Sequence, residues 1–187
     1  MLNKKYSGGV DGGKAAAISD GFTLVELLVV IAIIGILAGV VLIAINPAAL
    51  LAKSRDATRL QDMDTVNKAL SLAIADAEIS LADTSACGAG CSSGGAGAGT
   101  QAVDGTNGWV RYSLIGVTGL AKYLPSLPVD PLNQTVNAID YWYTYASDGA
   151  GYELNAILES IDNANKMSTD GGNAAGVYEV GTDQQII

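Results

Sequence analysis

One stretch limits what this chain can fold into. From Leu27 to Ile45 there are 19 consecutive residues with no charge and no strongly polar side chain. As a helix rising roughly 1.5 Å per residue, the run spans about 28 Å, close to the hydrocarbon thickness of a bilayer. One carboxylate, Glu26, stands at its head. A carboxylate at membrane depth is costly, so Glu26 should have a partner or a shifted pKa, or lie at the interface within reach of headgroup water.

Asn46-Pro47 interrupts the apolar run. Asn suits a helix N-cap and Pro the first helical position, so Pro47 either starts a second helix or kinks one long helix. From residue 46 to about 82 the pattern is amphipathic. Leu60, Met63, Leu70, Ile74, Ala77 and Leu81 recur at steps of three and four, with Val66 beside the gap at Asn67. Taken as one helix, Phe22 to Leu81 would be roughly 90 Å long. The basic group Lys53, Arg55 and Arg59 either meets anionic headgroups or a neighbour's acids, or is a solvated face.

Residues 83–107 break the pattern. Cys87 to Gly99 reads CGAGCSSGGAGAG, with no bulky apolar residue, and predicts a flexible loop. Cys87 and Cys91 are the only cysteines. In an exported protein they would form a local disulfide; free thiols and metal or redox chemistry are the alternatives. Residues 108–187 read as a β-rich head. Trp109 to Ile115 is strand-like, and Leu120 to Leu124 is a short helical turn before Pro125, Pro128 and Pro131. Ile139–Tyr145 and Tyr152–Leu158 alternate around the turn Ser147-Asp148-Gly149-Ala150-Gly151, which predicts a β-hairpin, with Val177–Val180 as a final strand. Leu154, Ala156 and Leu158 are the expected inward set. The fold class is α+β: a long N-terminal helix, its first half transmembrane and its second half amphipathic, packed on a small antiparallel sheet.

Composition narrows the function. The chain has no His, which removes Ser-His and Cys-His pairs and common zinc sites, and its glycine stretch follows a helix without the Lys of a phosphate loop. No enzyme is expected. The net charge is −9, and an acidic head argues against general nucleic-acid binding. No cofactor is expected beyond calcium, for which Asp148, Asp162, Asp170 and Asp183 are candidate ligands without EF-hand spacing; solvated acidic loops are the alternative. The tyrosines fit core and hairpin packing, or adhesion and stacking.

Gly21-Phe22-Thr23-Leu24-Val25-Glu26 followed by an apolar helix resembles the N-terminus of type IV pilins and pseudopilins. The resemblance spans residues 21 to about 82, and the later half only in outline. It implies that a prepilin peptidase removes residues 1–21 by cutting between Gly21 and Phe22, and that Phe22 becomes N-methylated. Loss of that leader, with three lysines and two aspartates, takes the net charge from −9 to −10. It also implies that Glu26 guides docking by pairing with the α-amine of Phe22 in a neighbouring copy. Gly35, Gly39, Ala32 and Ala38 would permit close helix approach. The expected molecule is a prepilin in the inner membrane, single-pass with its head outside the cytoplasm. An inner-membrane assembly platform then builds it into an extracellular homo-oligomeric helical filament. A major pseudopilin of a type II secretion or DNA-uptake system is the nearest alternative. A monomeric membrane-anchored binding protein is the other. Lysines on both sides of the apolar run leave orientation to the resemblance.

Overall fold

The structure, a computed structural model, describes residues 21–85 and 87–187. All of the expected leader except Gly21 lies outside the described residues. Two compact units divide at Ile45 and Asn46.

The first unit contains helix α1, Leu24–Ile45, whose 22 residues are exposed along their whole length. At roughly 1.5 Å per residue the helix is about 33 Å long, enough to cross a membrane. Apolar residues surround its axis rather than forming a stripe, the pattern of a helix that meets lipid or other helices on every side.

The second unit starts with a cap. Asn46 adopts a left-handed conformation, φ 45° and ψ 79°, and its side chain accepts a hydrogen bond from the Ala49 amide at 3.4 Å. Pro47 then opens helix α2, Pro47–Ala75. The two readings of Asn46-Pro47 are thereby resolved: a second helix starts there. The helix ends at Ala75, short of the expected Leu81. The Glu78 amide turns back to the Ala73 carbonyl and the Ala77 amide to that of Ile74, with Ala77 at φ 53°. This is a Schellman closure with alanine where glycine is usual. It frees Ile79–Leu81 to become β1, paired antiparallel with β2, Tyr112–Leu114.

The buried face of α2 is Asp56, Arg59, Met63, Val66, Ala69, Leu70 and Ala73. Its apolar part packs with Trp109, Leu120, Leu127, Tyr143, Tyr145, Tyr152 and Leu154 in one core. The main sheet has three antiparallel strands in the order β5, Thr144–Ser147, β6, Tyr152–Ala156, and β7, Tyr178–Gly181. Thr144 stands opposite Asn155, and Asn155 opposite Glu179. The Tyr152 hydroxyl reaches α2, 2.6 Å from Asn67 Oδ1 and 3.0 Å from Ser71 Oγ. Leu154, Ala156 and Leu158 are buried as expected, although the strand stops at Ala156.

The expected hairpin is split. Of its expected first strand only β5 pairs with the return strand β6, while Ile139–Tyr141 forms β4 and pairs backwards with β3, Gln134–Val136. Asn137 and Ala138, both at positive φ, make the two-residue turn between them. The break falls at Tyr143 because Ser93 takes its backbone: the Ser93 amide donates to the Tyr143 carbonyl at 2.8 Å, and the Tyr143 amide donates to Ser93 Oγ at 2.9 Å.

The expected flexible loop is therefore part of the fold. Ser92 and Ser93 are buried, and Gly95 lies against the Trp142 ring, where an added Cβ would stand 3.4 Å from the indole. Further along, Asp104 accepts from the amides of Thr106 and Asn107 and from the Asn107 side chain. Those donors, Asn107 foremost, hold its carboxyl well below the usual carboxylate range. Backbone and hydroxyl hydrogen bonds supply here what apolar side chains supply elsewhere. The short helix α3, Ala164–Ser168, precedes β7.

Candidate assembly site

The sequence motif of interest lies at the start of α1. Thr23 is the N-cap and Glu26 the third helical residue. The Glu26 amide donates to Thr23 Oγ1 at 3.2 Å, and the Thr23 amide donates to Glu26 Oε2 at 2.9 Å. The Thr23 hydroxyl also donates to Oε2 at 2.8 Å. This reciprocal capping box satisfies two amides that a helix start leaves open. Its Thr-x-x-Glu signature was present in the sequence but was absorbed into the longer motif. One carboxylate oxygen is thus occupied within the chain, and Oε1 takes no hydrogen bond among the described residues.

Phe22 is 84% exposed and follows Gly21 without a break. Its nitrogen is here an amide, which carries no charge. A Glu26 ion pair with a Phe22 amine requires that the Gly21–Phe22 bond first be cut. Among the described residues nothing lies within 4 Å of where a Cβ would stand at Gly35 and Gly39, which leaves both positions open for close approach.

The basic group on α2 behaves differently from either expectation. Arg59 is fully buried. Its guanidinium pairs with Asp130 through Nε at 2.5 Å and Nη2 at 2.9 Å, and with Asp56 at 3.0 Å and Glu159 at 2.6 Å through Nη1. Arg55 makes two further bonds to Glu159, and Lys53 pairs with Asp162. Asp56 also accepts from the Glu159 and Ser160 amides and the Asn163 side chain. The first turns of α2 are thereby tied to the Asp130 loop and to the segment after β6. Burial opposes the Arg59 charge, but Asp130 and Glu159 outweigh it and raise its pKa. Burial likewise pushes Glu159 up, and its bonds to Arg55 and Arg59 bring it below its ordinary value. No local sequence signal marks Asp130 and Glu159 as partners of the two arginines, since they lie 71 to 104 positions away along the chain.

Cys87 and Cys91 are joined as a disulfide with Cα atoms 5.7 Å apart. The four candidate calcium ligands are not brought together. Asp148 caps the Ala150 and Gly151 amides, Asp162 pairs with Lys53, Asp170 accepts from the Glu179 amide, and Asp183 from that of Gln185. Among the described residues there is no group of three or more acidic, Cys or His side chains able to hold a metal. Tyr143, Tyr145 and Tyr152 are buried in the core.

Sequence reading also missed two buried acids. Glu153 and Glu179, on the outer face of β6 and β7, are both fully buried. Glu153 accepts from the Ile186 and Ile187 amides, Glu179 from that of Ala174. Burial, with Glu153 beside it, pushes Glu179 up.

No curated protein and no solved structure matches this chain. The prokaryotic N-terminal methylation motif matches residues 19–42, which include the Gly21–Phe22 junction, the capping box and most of α1. That motif is the class III signal peptide of type IV pilins and pseudopilins, and it supports a pilin-like or pseudopilin reading of this chain.

Proposed function

We propose that the chain is a prepilin, the structural subunit of a type IV pilus or related filament that polymerises through α1. The observation that carries this reading is the methylation motif set at the head of a helix whose every residue is exposed. Such a helix needs lipid or neighbouring helices around it. In the precursor the inner membrane supplies them. After a prepilin peptidase cuts between Gly21 and Phe22 and Phe22 is N-methylated, copies of α1 supply them to one another. Membrane solvation is exchanged for helix packing, with close approach at Gly35 and Gly39. Contacts between unlike faces of identical copies build an open filament when the rotation between copies does not close into a ring.

The new Phe22 amine of one copy then meets the open oxygen of Glu26 in another. Pairing neutralises both charges in a medium of low dielectric and sets the axial register. An inner-membrane assembly platform and an extracellular filament complete the proposed setting.

Intact mass and N-terminal peptide mapping on material sheared from cells test processing. A chain starting at Phe22 with one added methyl group is expected; a chain that keeps residues 1–21 refutes it. Glu26→Leu tests docking, with membrane insertion retained and filaments lost. Abundant normal filaments from that variant would end the docking role.

A further inference from the structure

The segment after β7 turns back across the outer face of the main sheet. Its first part is fixed to β6: the Thr182 and Asp183 amides both donate to the Tyr152 carbonyl, at 3.0 and 3.2 Å. Its last part, Gln184–Ile187, has different supports. The Gln184 side chain donates to the Glu179 carbonyl at 2.7 Å, and the Ile186 and Ile187 amides donate to Glu153 Oε2 at 2.8 and 3.1 Å. Ile186 and Ile187 then line a cavity of about 400 Å³ together with Thr144, Tyr145 and Ala146 of β5. These residues form a strap across the three strands, with two of its amides held by one carboxylate.

Glu153 has a second acid beside it. Residues two apart on a strand share a face, and the register sets Asn155 opposite Glu179, so Glu153 and Glu179 are diagonal neighbours on the outer face. Both are fully buried, and among the described residues neither forms an ion pair. Glu153 accepts from the Ile186 and Ile187 amides and the Asn155 side chain. Glu179 Oε2 accepts from the Ala174 amide, but its Oε1 is buried without a partner. A buried carboxylate oxygen with no donor is costly. The same oxygen carrying a proton becomes a donor, and the Glu153 carboxyl is within its hydrogen-bonding reach. Two adjacent buried carboxyls resist double ionisation, and one proton between them satisfies the pair.

The other charged groups around Glu179 do not replace that proton. Asp170, which accepts from the Glu179 amide, and Asp183, which accepts from that of Gln185, are acids themselves. Burial keeps Tyr178 neutral, and Lys166 on α3 is exposed.

We propose that Glu153 and Glu179 share one proton, and that this proton locks the strap Gln184–Ile187 over the sheet. When it leaves, two like charges lie side by side beneath the strap, and the strap opens to let water reach them. Burial holds Glu179 above its ordinary 4.5 while the strap is closed. Opening therefore becomes about tenfold easier per pH unit between the ordinary value and the raised one, and levels off above it. Acid closes the strap; neutral and alkaline pH uncover Glu153 and the β5 side of the cavity. The device does not rest on filament assembly.

The test is amide hydrogen exchange of the full chain in nonionic detergent from pH 5 to pH 8, read by mass spectrometry. Each rate is divided by that of an unstructured peptide of the same sequence. Wild-type protection over residues 184–187 is expected to fall by about tenfold or more across this range, while E179Q stays level within about twofold. D170N, which leaves the pair intact, should fall as wild type does. At pH 8 the strap should be at least about tenfold less protected than residues 152–156, because it opens without the head unfolding. Level protection in wild type, an equal fall in E179Q, or loss of the fall in D170N overturns the proposal. So does equal protection of strap and β6 at pH 8, which would mean that the strap leaves only when the whole head unfolds.

Discussion

Replacing Arg59 by methionine tests how the head is held to α2. The change keeps the side-chain bulk but deletes four charge-assisted bonds to three carboxylates. Removing one partner from a buried ion pair costs about 3–5 kcal/mol, because the remaining charge is left in a poor solvent. Here part of that cost is offset. Asp130 keeps the Leu132 and Asn133 amides, Asp56 keeps three donors, and Glu159 keeps Arg55. The expected loss therefore falls in the lower half of the range, about 3–4 kcal/mol. For a domain stable by about 5–15 kcal/mol this is a large fraction.

Arg55→Met is the control, since its partly exposed guanidinium should contribute about 1 kcal/mol or less. The assay is urea unfolding of the full chain in nonionic detergent, followed by tryptophan fluorescence. Adding Asp130→Asn to the Arg59 variant should recover about 1–2 kcal/mol, because the orphaned charge is then gone. Equal costs for the two arginine variants, or an Arg59→Met cost below about 1 kcal/mol, would refute the reasoning.

Two further outcomes are expected. Because burial raises Glu179, the folded chain holds that proton to higher pH than the unfolded chain, whose ordinary value is 4.5. The stability it contributes is complete below the unfolded value and is lost as pH rises through the folded one. Glu179→Gln should remove that decline, so its advantage over wild type in urea midpoint should grow from pH 4 to pH 8; a constant difference contradicts the assignment. Ala77→Gly should stabilise the head by roughly 0.5–1 kcal/mol, since φ 53° strains alanine more than it restrains glycine. A lower thermal midpoint for that variant would show that the closure of α2 is not strained.

What could be read from sequence follows the range of each interaction. Met63, Val66 and Leu70 announced the buried face of α2 because apolar residues repeat with the helix. Asp56 and Arg59 continue the same face, yet charges at those spacings look like a solvated surface. Only partners distant in the chain turn them inward, and local pattern does not record such partners. The α+β class and the final strand were legible for the same local reason. The β3–β4 turn was not, because Asn137-Ala138 adopts a turn that Asn-Gly signals better. The glycine-rich segment misled because its order rests on backbone groups, which every sequence has. At the candidate assembly site the motif was fully legible, and its Thr-x-x-Glu spacing also carried the signature of the Thr23 hold on Glu26.

The break at Asn46-Pro47 also acts as a depth gauge. Pro47 has no amide hydrogen, so the Ile43 carbonyl has no donor four residues on, and the last carbonyls of α1 share its need for outside partners. Hydrocarbon provides none, which places that end of the helix where water reaches. Counting back to Glu26 covers roughly 30 Å, one hydrocarbon thickness. A spanning α1 therefore has its carboxylate at one boundary when its open carbonyls are at the other. Sliding the helix outward by a turn would draw Glu26 into lipid with Oε1 bare. On the proposed assembly reading, a subunit leaving the membrane alone would be opposed by that charge, and one leaving toward an exposed amine would not. On that reading the two residues that end the helix would also set the threshold for releasing it.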